Sequence, residues 1–305
     1  MKVLVTGGAG FIGSHLVERL LDEGHEVNVL DNLRSGDMEN LNNCVDNPAF
    51  HFIEGDLRNE DEVREAVEGM DAVFHEAAIT SVPFSVENPE LTEEVNFHGT
   101  VNLLEKCEEC EVEKFVFAST CAVYGDPDTL PIDEETSPAP TSPYAESKLS
   151  AEKEILERES LSPVVFRYFN VYGPRQGDGA YAGVISKFLN RLVEGKPPII
   201  FGDGKQTRDF IFVEDVVRAN IRALEVEAAE GEILNLGNGK SVSINELCDI
   251  LLEVTDNDDV GPDFRPPREG DIEHSRADVS KVEERLDFRP EFSLKEGLSK
   301  LSEKY

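Results

Sequence analysis

Tyr144 and Lys148 stand four positions apart in the stretch SPYAESK. On a helix this spacing lays the two side chains over one another on one face. An ammonium held beside a phenol stabilises the phenolate, because an opposite charge favours the ionised form. Free tyrosine titrates near about pH 10, so a base useful near neutrality needs a shift of about three units, roughly 4 kcal/mol. One lysine rarely supplies that, whereas a lysine and a nearby cationic nicotinamide together can. By itself Tyr-x-x-x-Lys is a weak signal, since an exposed helix face shows the same spacing by chance.

The N-terminus supplies the partner. MKVLVT is a short apolar, β-branched run that ends at glycines and predicts a buried strand. Gly7, Gly10 and Gly13 follow, then SHLVERLLDEG, whose apolar spacing is helical. Strand, glycine turn and helix together offer free backbone N–H groups and a positive helix end to a pyrophosphate. The pattern is G-x-x-G-x-x-G rather than the G-x-G-x-x-G of many dehydrogenases. A second strand, HEVNVLD, ends in Asp31, 18 positions after Gly13. A carboxylate that grips an adenosine ribose stands at a spacing of about 20. Asp31 repels a 2′-phosphate, which favours NAD over NADP; the alternative for Asp31 is a solvated acid at a strand end.

Strands and helices then alternate: FHFIEGDL, a helix through about residue 69, DAVFHEAA, a long helix over roughly 87–110, and KFVFAST. This rhythm predicts an α/β fold with a doubly wound parallel sheet of the Rossmann type and ligands at the strand C-termini. Asp56 and Leu57 close the third strand where an adenine sits, and Ala77 and Ala78 are small enough to admit a ribose. Beyond about residue 170 the alternation weakens and Pro, Gly and Arg gather in PRQGDGAYAG, GKPPIIFGDGKQTRDF and FRPPREGD. The expected division is a cofactor domain over 1–170 with returning segments at about 209–240, and a smaller substrate-binding α/β domain from 171–208 and 241–305.

Composition narrows the function classes. Sixty-three acidic residues against 29 basic ones give a net charge of −34 over 305 residues. Such a field repels DNA and anionic membranes, so neither nucleic acid nor membrane is an expected partner. The acids are dispersed rather than gathered in a tail, which is one way to stay soluble in concentrated salt and points to a salt-loving source. No apolar run approaches the roughly 20 residues of a membrane span. MKVLVTGG lacks the basic start and apolar core of a secretion signal, which predicts a cytoplasmic protein. The five cysteines, Cys44, Cys107, Cys110, Cys121 and Cys248, form no framework, and Cys107–Cys110 lacks a second ligand pair. No metal site is expected.

In order along the chain occur TGGAGFIGSH, Asp31-Asn32-Leu33, GDL, HEAA, SVPFSVENP, Asn96 in NFHGT, FASTCAVYG, TSPYAESK, RYFNVYGPR, TRDF and the REGD before HSRADVSK. Over essentially its whole length the chain resembles the extended short-chain dehydrogenase/reductases of the NAD-dependent epimerase/dehydratase family, most of all the UDP-glucose 4-epimerases. The resemblance implies that Phe11 and Ile12 border the pyrophosphate and that Asn32 and Lys148 join the cofactor contacts, which Asn96 and Phe169 complete. It implies Thr120 as the holder of the reacting hydroxyl. It further implies Arg208 and Arg268 at the substrate diphosphate, Asn170 beside them, Asp271 at the nucleotide ribose and Phe201 by the uracil. For Arg175 a surface salt bridge competes with function.

Related dehydratases carry Asp-Glu directly after the Thr, and UDP-glucuronate decarboxylases carry a Glu just before VYG. Here those positions are Cys121 and Ala122. Elimination needs a second acid/base pair, which these residues do not supply, so the implied reaction is one reversible oxidation at C4 of a UDP-sugar and its reversal on the other face. Ser275 falls where the family carries a bulky aromatic that limits the sugar pocket, so N-acetylated sugars join UDP-glucose and UDP-galactose as implied substrates, and pentose or uronate epimers stay open as well. The alternatives are a UDP-sugar decarboxylase or 4,6-dehydratase, and a protein that binds NAD only to sense it. In relatives, the helix near 87–110 and the one carrying Tyr144 form a dimer contact, which implies a homodimer.

Overall fold

The computed structural model describes residues 1–177, 183–257, 259–267 and 272–303. Strand β1 (Lys2–Thr6) is the predicted apolar run, with Val3, Leu4 and Val5 fully buried. Chain order then gives α1 (Phe11–Asp22), β2 (Glu26–Asp31), β3 (Phe50–Glu54), α2 (Glu60–Val67) and β4 (Ala72–His75). Helix α2 starts where the Asn59 side chain accepts from Asp61 N–H, and Glu60, Asp61 and Glu62 fill its first turn against the positive helix end.

The helix expected over 87–110 is interrupted. It resolves into α3 (Val82–Glu87), α4 (Pro89–Glu93), a π turn over Glu94–His98, and α5 (Gly99–Glu109). The break falls at Asn88 (φ −135°, ψ 61°), ahead of Pro89, as a proline disfavours helical geometry in the residue before it. Strand β5 (Lys114–Thr120), α6 (Pro143–Leu156) and β6 (Ser162–Tyr168) follow. The smaller part holds β7 (Asn170–Tyr172), α7 (Val184–Val193), β8 (Ile199–Phe201), β9 (Thr207–Arg208) and β10 (Phe210–Phe212). The chain returns through α8 (Val213–Glu225) and β11 (Glu232–Leu236), and ends with β12 (Val242–Ser243), α9 (Ile244–Val254), β13 (Asp263–Arg265), α10 (Ser280–Leu286) and α11 (Leu294–Ser302).

Seven strands form one parallel sheet in the order β11-β6-β5-β4-β1-β2-β3. This is the doubly wound arrangement, with its switch point between β1 and β4, where a crevice opens at the strand C-termini. One face packs Leu16, Leu20 and Val216 of α1 and α8 onto the sheet; the other packs Leu103, Leu104 and Ile155 of α5 and α6. A separate core, including Tyr172, Phe188, Leu247, Leu251 and Leu298, gathers β7, β10, α7, α9 and α11. Truncating a buried leucine such as Leu251 to Ala in such a core costs about 2–5 kcal/mol. Among the described residues, no helix is long and apolar enough to cross a membrane and no three candidate metal ligands cluster.

Candidate active site

A cleft of about 560 Å³ opens at the C-terminal edge of the sheet, lined by Gly7, Gly10, Gly13, Asp31, Asp56 and Ala77 among others. Its floor cannot carry side chains. A Cβ on Gly13 would lie 2.3 Å from the Gly7 carbonyl oxygen, and one on Gly7, whose φ is +68°, would lie 2.7 Å from Ala77 N. Helix α1 begins here with no side-chain cap and no acid in its first turn. Its unpaired N–H groups therefore remain for an anion. A dinucleotide pyrophosphate fits this donor set.

Asp31 is 8% exposed and serves two purposes. Its Oδ2 accepts from Ala9 N–H at 3.0 Å and its Oδ1 from Leu33 N–H at 2.8 Å, so it braces the glycine loop while lining the cleft. Burial pushes its pKa up and those two bonds pull it down. Asn32 donates to Asp56 at 3.0 Å, and Arg58 grips Asp56 with two bonds of 2.9 and 2.8 Å. The Arg58 guanidinium holds the Asp56 carboxyl well below the usual range. Phe11, Ile12, Leu57 and Ala78 also line the cleft.

Two residues expected at the cofactor, Asn96 and Phe169, are buried among protein partners. Asn96, in the π turn, accepts from Ile79 N–H at 2.7 Å and donates to the Ile79 carbonyl at 3.0 Å and to Ser147 Oγ at 3.2 Å. Its amide thus clamps the loop after β4 to α6. Phe169 is buried with Val123, Tyr124, Ile132 and Ala277.

The catalytic end is set by α6. Ser142 caps it, accepting from Ala145 N–H at 3.2 Å, and Pro143 takes the first helical position, so Tyr144 lies in the first turn with Lys148 one turn on. Both are buried, and the Tyr144 phenol shares a hydrogen bond with the Thr120 hydroxyl at the end of β5. The sequence leads one to expect that Lys148 eases the phenol toward ionisation. In the protein alone burial pushes Tyr144 up to about 12, and the group that pulls the other way is the Thr120 bond. Lys148 Nζ donates to the Ala118 carbonyl at 2.7 Å and lies 4.5 Å from the centre of the Phe117 ring. Burial lowers its own pKa to about 8, against the fields of Glu76 and Glu152. Behind it, Glu152 pairs with Arg167 at 2.6 Å, both nearly inaccessible, and takes a hydrogen bond from Ser119.

Glu76 is a residue that sequence reasoning missed. HEAA reads as small residues at a strand end, yet a carboxylate follows four buried strand positions there. It lines the cofactor cleft and accepts from Tyr168 Oη at 2.8 Å. Burial raises it to about 7. An acid inside so apolar a stretch is the signal that could have found it.

On the substrate side, Cys121 feels the charges of Arg208 and Asp209, which brings β9 to the catalytic end. Burial pushes the Cys121 thiol up to about 12, so it holds its proton at neutral pH. Asp209 is fully buried and accepts from the N–H groups of Asn238 (2.7 Å), Gly239 (2.9 Å) and Ala277 (3.0 Å). Its own carbonyl receives Asn170 N–H and Nδ2. Ser275 is 7% exposed and donates its N–H to Thr207. Phe201 lines a second cleft, of about 650 Å³, with Gln206, Arg265 and His274. Arg268 and Asp271 lie outside the described residues. Arg175 pairs with Glu18 at 2.6 Å, partly buried and beside the cofactor cleft.

Residues 3–237 match the family model described as NAD dependent epimerase/dehydratase family. A protein of Methanocaldococcus jannaschii described as a putative UDP-glucose 4-epimerase is 42% identical over 98% of this chain and 96% of its own. A UDP-N-acetyl-alpha-D-glucosaminuronate decarboxylase of Bacillus cytotoxicus is 37% identical over 97% of this chain and 95% of its own. The structure of a UDP-N-acetylglucosamine 4-epimerase from Methanobrevibacter ruminantium, in complex with UDP-N-acetylmuramic acid, superposes with a TM-score of 0.94 at 39% identity, covering 99% of this chain and 97% of that one. With its glycine cradle, Asp31 and buried Tyr–Lys pair, the chain belongs to the NAD-dependent epimerase/dehydratase family of extended short-chain dehydrogenase/reductases, and its cofactor is NAD.

Proposed function

We propose that the protein is a 4-epimerase of a UDP-sugar, acting on UDP-glucose and UDP-galactose and admitting N-acetylated sugars. The observation that carries this reading is the pairing of a buried Tyr144–Thr120–Lys148 group with Cys121 and Ala122, neither of which holds a usable acid beside the base. A decarboxylase or dehydratase needs more acid/base groups than one phenol.

NAD, when bound, accepts the hydride from C4 and returns it. Tyr144 as phenolate takes the proton of the sugar 4-hydroxyl, and the Thr120 hydroxyl orients that oxygen. Lys148 keeps the base ionised. The 4-keto sugar then turns about the diphosphate, and Tyr144 returns its proton as the other face is reduced. Such a turn needs a firm hold on the nucleotide and a loose one on the sugar. Arg208 and Asn170 supply that hold, with Arg268 and Asp271, while Phe201 stacks on the base. Ser275 in place of a large ring leaves room for an N-acetyl group. We also propose a homodimer through the helices around α5 and α6; Val82 and Val86 of neighbouring α3 are 42% and 62% exposed.

Incubating the purified protein with UDP-glucose, UDP-galactose and their N-acetylated counterparts, and separating the products by chromatography and mass, tests the reading. An epimer of unchanged mass, abolished by Tyr144→Phe, supports it. Loss of carbon dioxide from a uronate or of water from a hexose moves the assignment to a decarboxylase or dehydratase. NAD binding without turnover of any sugar moves it to a sensor.

A further inference from the structure

Glu76 stands at the end of a hydrogen-bonded chain through Tyr168 and Asn220. The Val216 carbonyl fixes the amide of Asn220, taking a bond from its Nδ2 at 2.8 Å, and the same nitrogen lies 2.8 Å from Tyr168 Oη. Tyr168 Oη in turn lies 2.8 Å from Glu76 Oε1 and 3.0 Å from Asn220 Oδ1, so its one proton is shared between the carboxyl and the amide oxygen. Tyr168 and Asn220 are buried, which keeps water from the bonds between them, while Glu76 is partly exposed at the cleft. Burial raises this carboxyl to about 7, and a cation entering the cleft favours its ionised form. Its second oxygen has no bonding partner among the described residues, and the residue lines the cofactor cleft beside Ala77.

Position completes the argument. Glu76 lies next in the chain after His75, the last residue of β4, on the sheet face where α8 packs, as Tyr168 and Asn220 require. Lys148 and Tyr144 come from α6, on the other face, and the field of Glu76 reaches both. Glu76, which lines the cleft, and the Tyr–Lys pair thus feel one another's charge from opposite faces of the sheet. Lys148 makes its hydrogen bond to Ala118 O and not to Glu76, so the two groups are coupled through their charges alone.

We propose that Glu76 is a positioning residue that acts as counter-charge to the oxidised nicotinamide, so that the site prefers NAD⁺ to NADH. A fixed anion near the ring stabilises the cationic form and leaves the neutral reduced form unaided. For the epimerase reading, on which the consequence rests, this preference drives the hydride back to the sugar and keeps the reduced cofactor from outliving the keto intermediate. Tyr168 holds the carboxylate in place.

The test is the midpoint potential of the bound nicotinamide, followed by its near-ultraviolet absorbance during reductive titration of the NAD-loaded protein without any sugar. Glu76→Gln keeps the shape and removes the charge. It should lower the preference for NAD⁺ over NADH about tenfold, a rise of about 30 mV for a two-electron couple. Tyr168→Phe, which keeps the carboxyl but removes its donor, should move the potential the same way by less. An unmoved or lowered potential in Glu76→Gln overturns the proposal, as does a larger rise in Tyr168→Phe than in Glu76→Gln. Because no sugar is present, failure of the epimerase assignment leaves this result unaffected.

Discussion

Replacing Lys148 with Met removes a buried charge while keeping much of the side-chain volume. The Tyr144 phenol stands at about 12 in the protein alone, and a base ionised at neutral pH must come down by about five units, about 7 kcal/mol. A unit positive charge about 4 Å away contributes about 4 kcal/mol at an effective dielectric constant of 20. With the Lys148 ammonium and the oxidised nicotinamide each at about that distance, the pair would supply about 8 kcal/mol, enough to close the gap, and either alone would leave about half of it. Lys148→Met should therefore raise the apparent pKa of the base by about three units and lower kcat at neutral pH about 10³-fold. The deficit should shrink as the pH rises, about tenfold per unit, because the phenol then ionises unaided. Lys148 also loses its own proton near about 8 in the protein alone, so its advantage belongs to the range below that. The assay is kcat against pH for both proteins, with tyrosinate absorbance of the NAD-loaded enzyme as a second measure. A loss of the same size at every pH would refute the electrostatic account and leave Lys148 a purely structural role.

Four further outcomes follow from the geometry. Glu76 is raised to about 7 from an unfolded value of about 4.3, so the folded state binds the extra proton and stability falls as pH rises through that window; Glu76→Gln should gain melting temperature over the parent from about pH 4 to 7, on the order of 3 kcal/mol in all. Glu152→Gln strands Arg167, whose Nη1 is already buried without a partner, and should cost about 3–5 kcal/mol of unfolding free energy in denaturant titration. Ser275→Tyr should lower kcat/KM for N-acetylated UDP-sugars at least tenfold more than for UDP-glucose, as measured by competing the two substrates. With a net charge of −34, the unfolding midpoint should rise between dilute buffer and molar KCl, where the screening length falls from about 10 Å to about 3 Å.

The cofactor half was legible because backbone geometry dictates its residue types. Only glycine fits at Gly7 and Gly13, and a parallel strand pattern announces itself as apolar runs. The Tyr–Lys pair was legible because helical spacing fixes it. What could not be read was the competition among buried groups. Nothing in SPYAESK says that Lys148 Nζ would bond Ala118, or that burial would push Tyr144 upward. Local sequence also cannot show the π turn that aims the Asn96 amide at Ile79. The break before Pro89 was visible in ENP and went unread. Glu76 hid inside a motif whose neighbours attract attention for being small.

Asp209 bears on how the molecule comes apart. Its carboxylate takes N–H groups from the loop after β11 and from Ala277, while its backbone joins β9 to β10. The large sheet and the smaller core have separate hydrophobic interiors and could melt as two units. A buried carboxylate whose bonds come from segments outside its own strand pair cannot be released piecemeal, because each lost donor leaves a charge less compensated. The carboxylate thus ties the β9–β10 turn to the loop after β11 and to Ala277 at one point, so that losing Asp209 would loosen all three attachments together and, with them, the place where Arg208 stands.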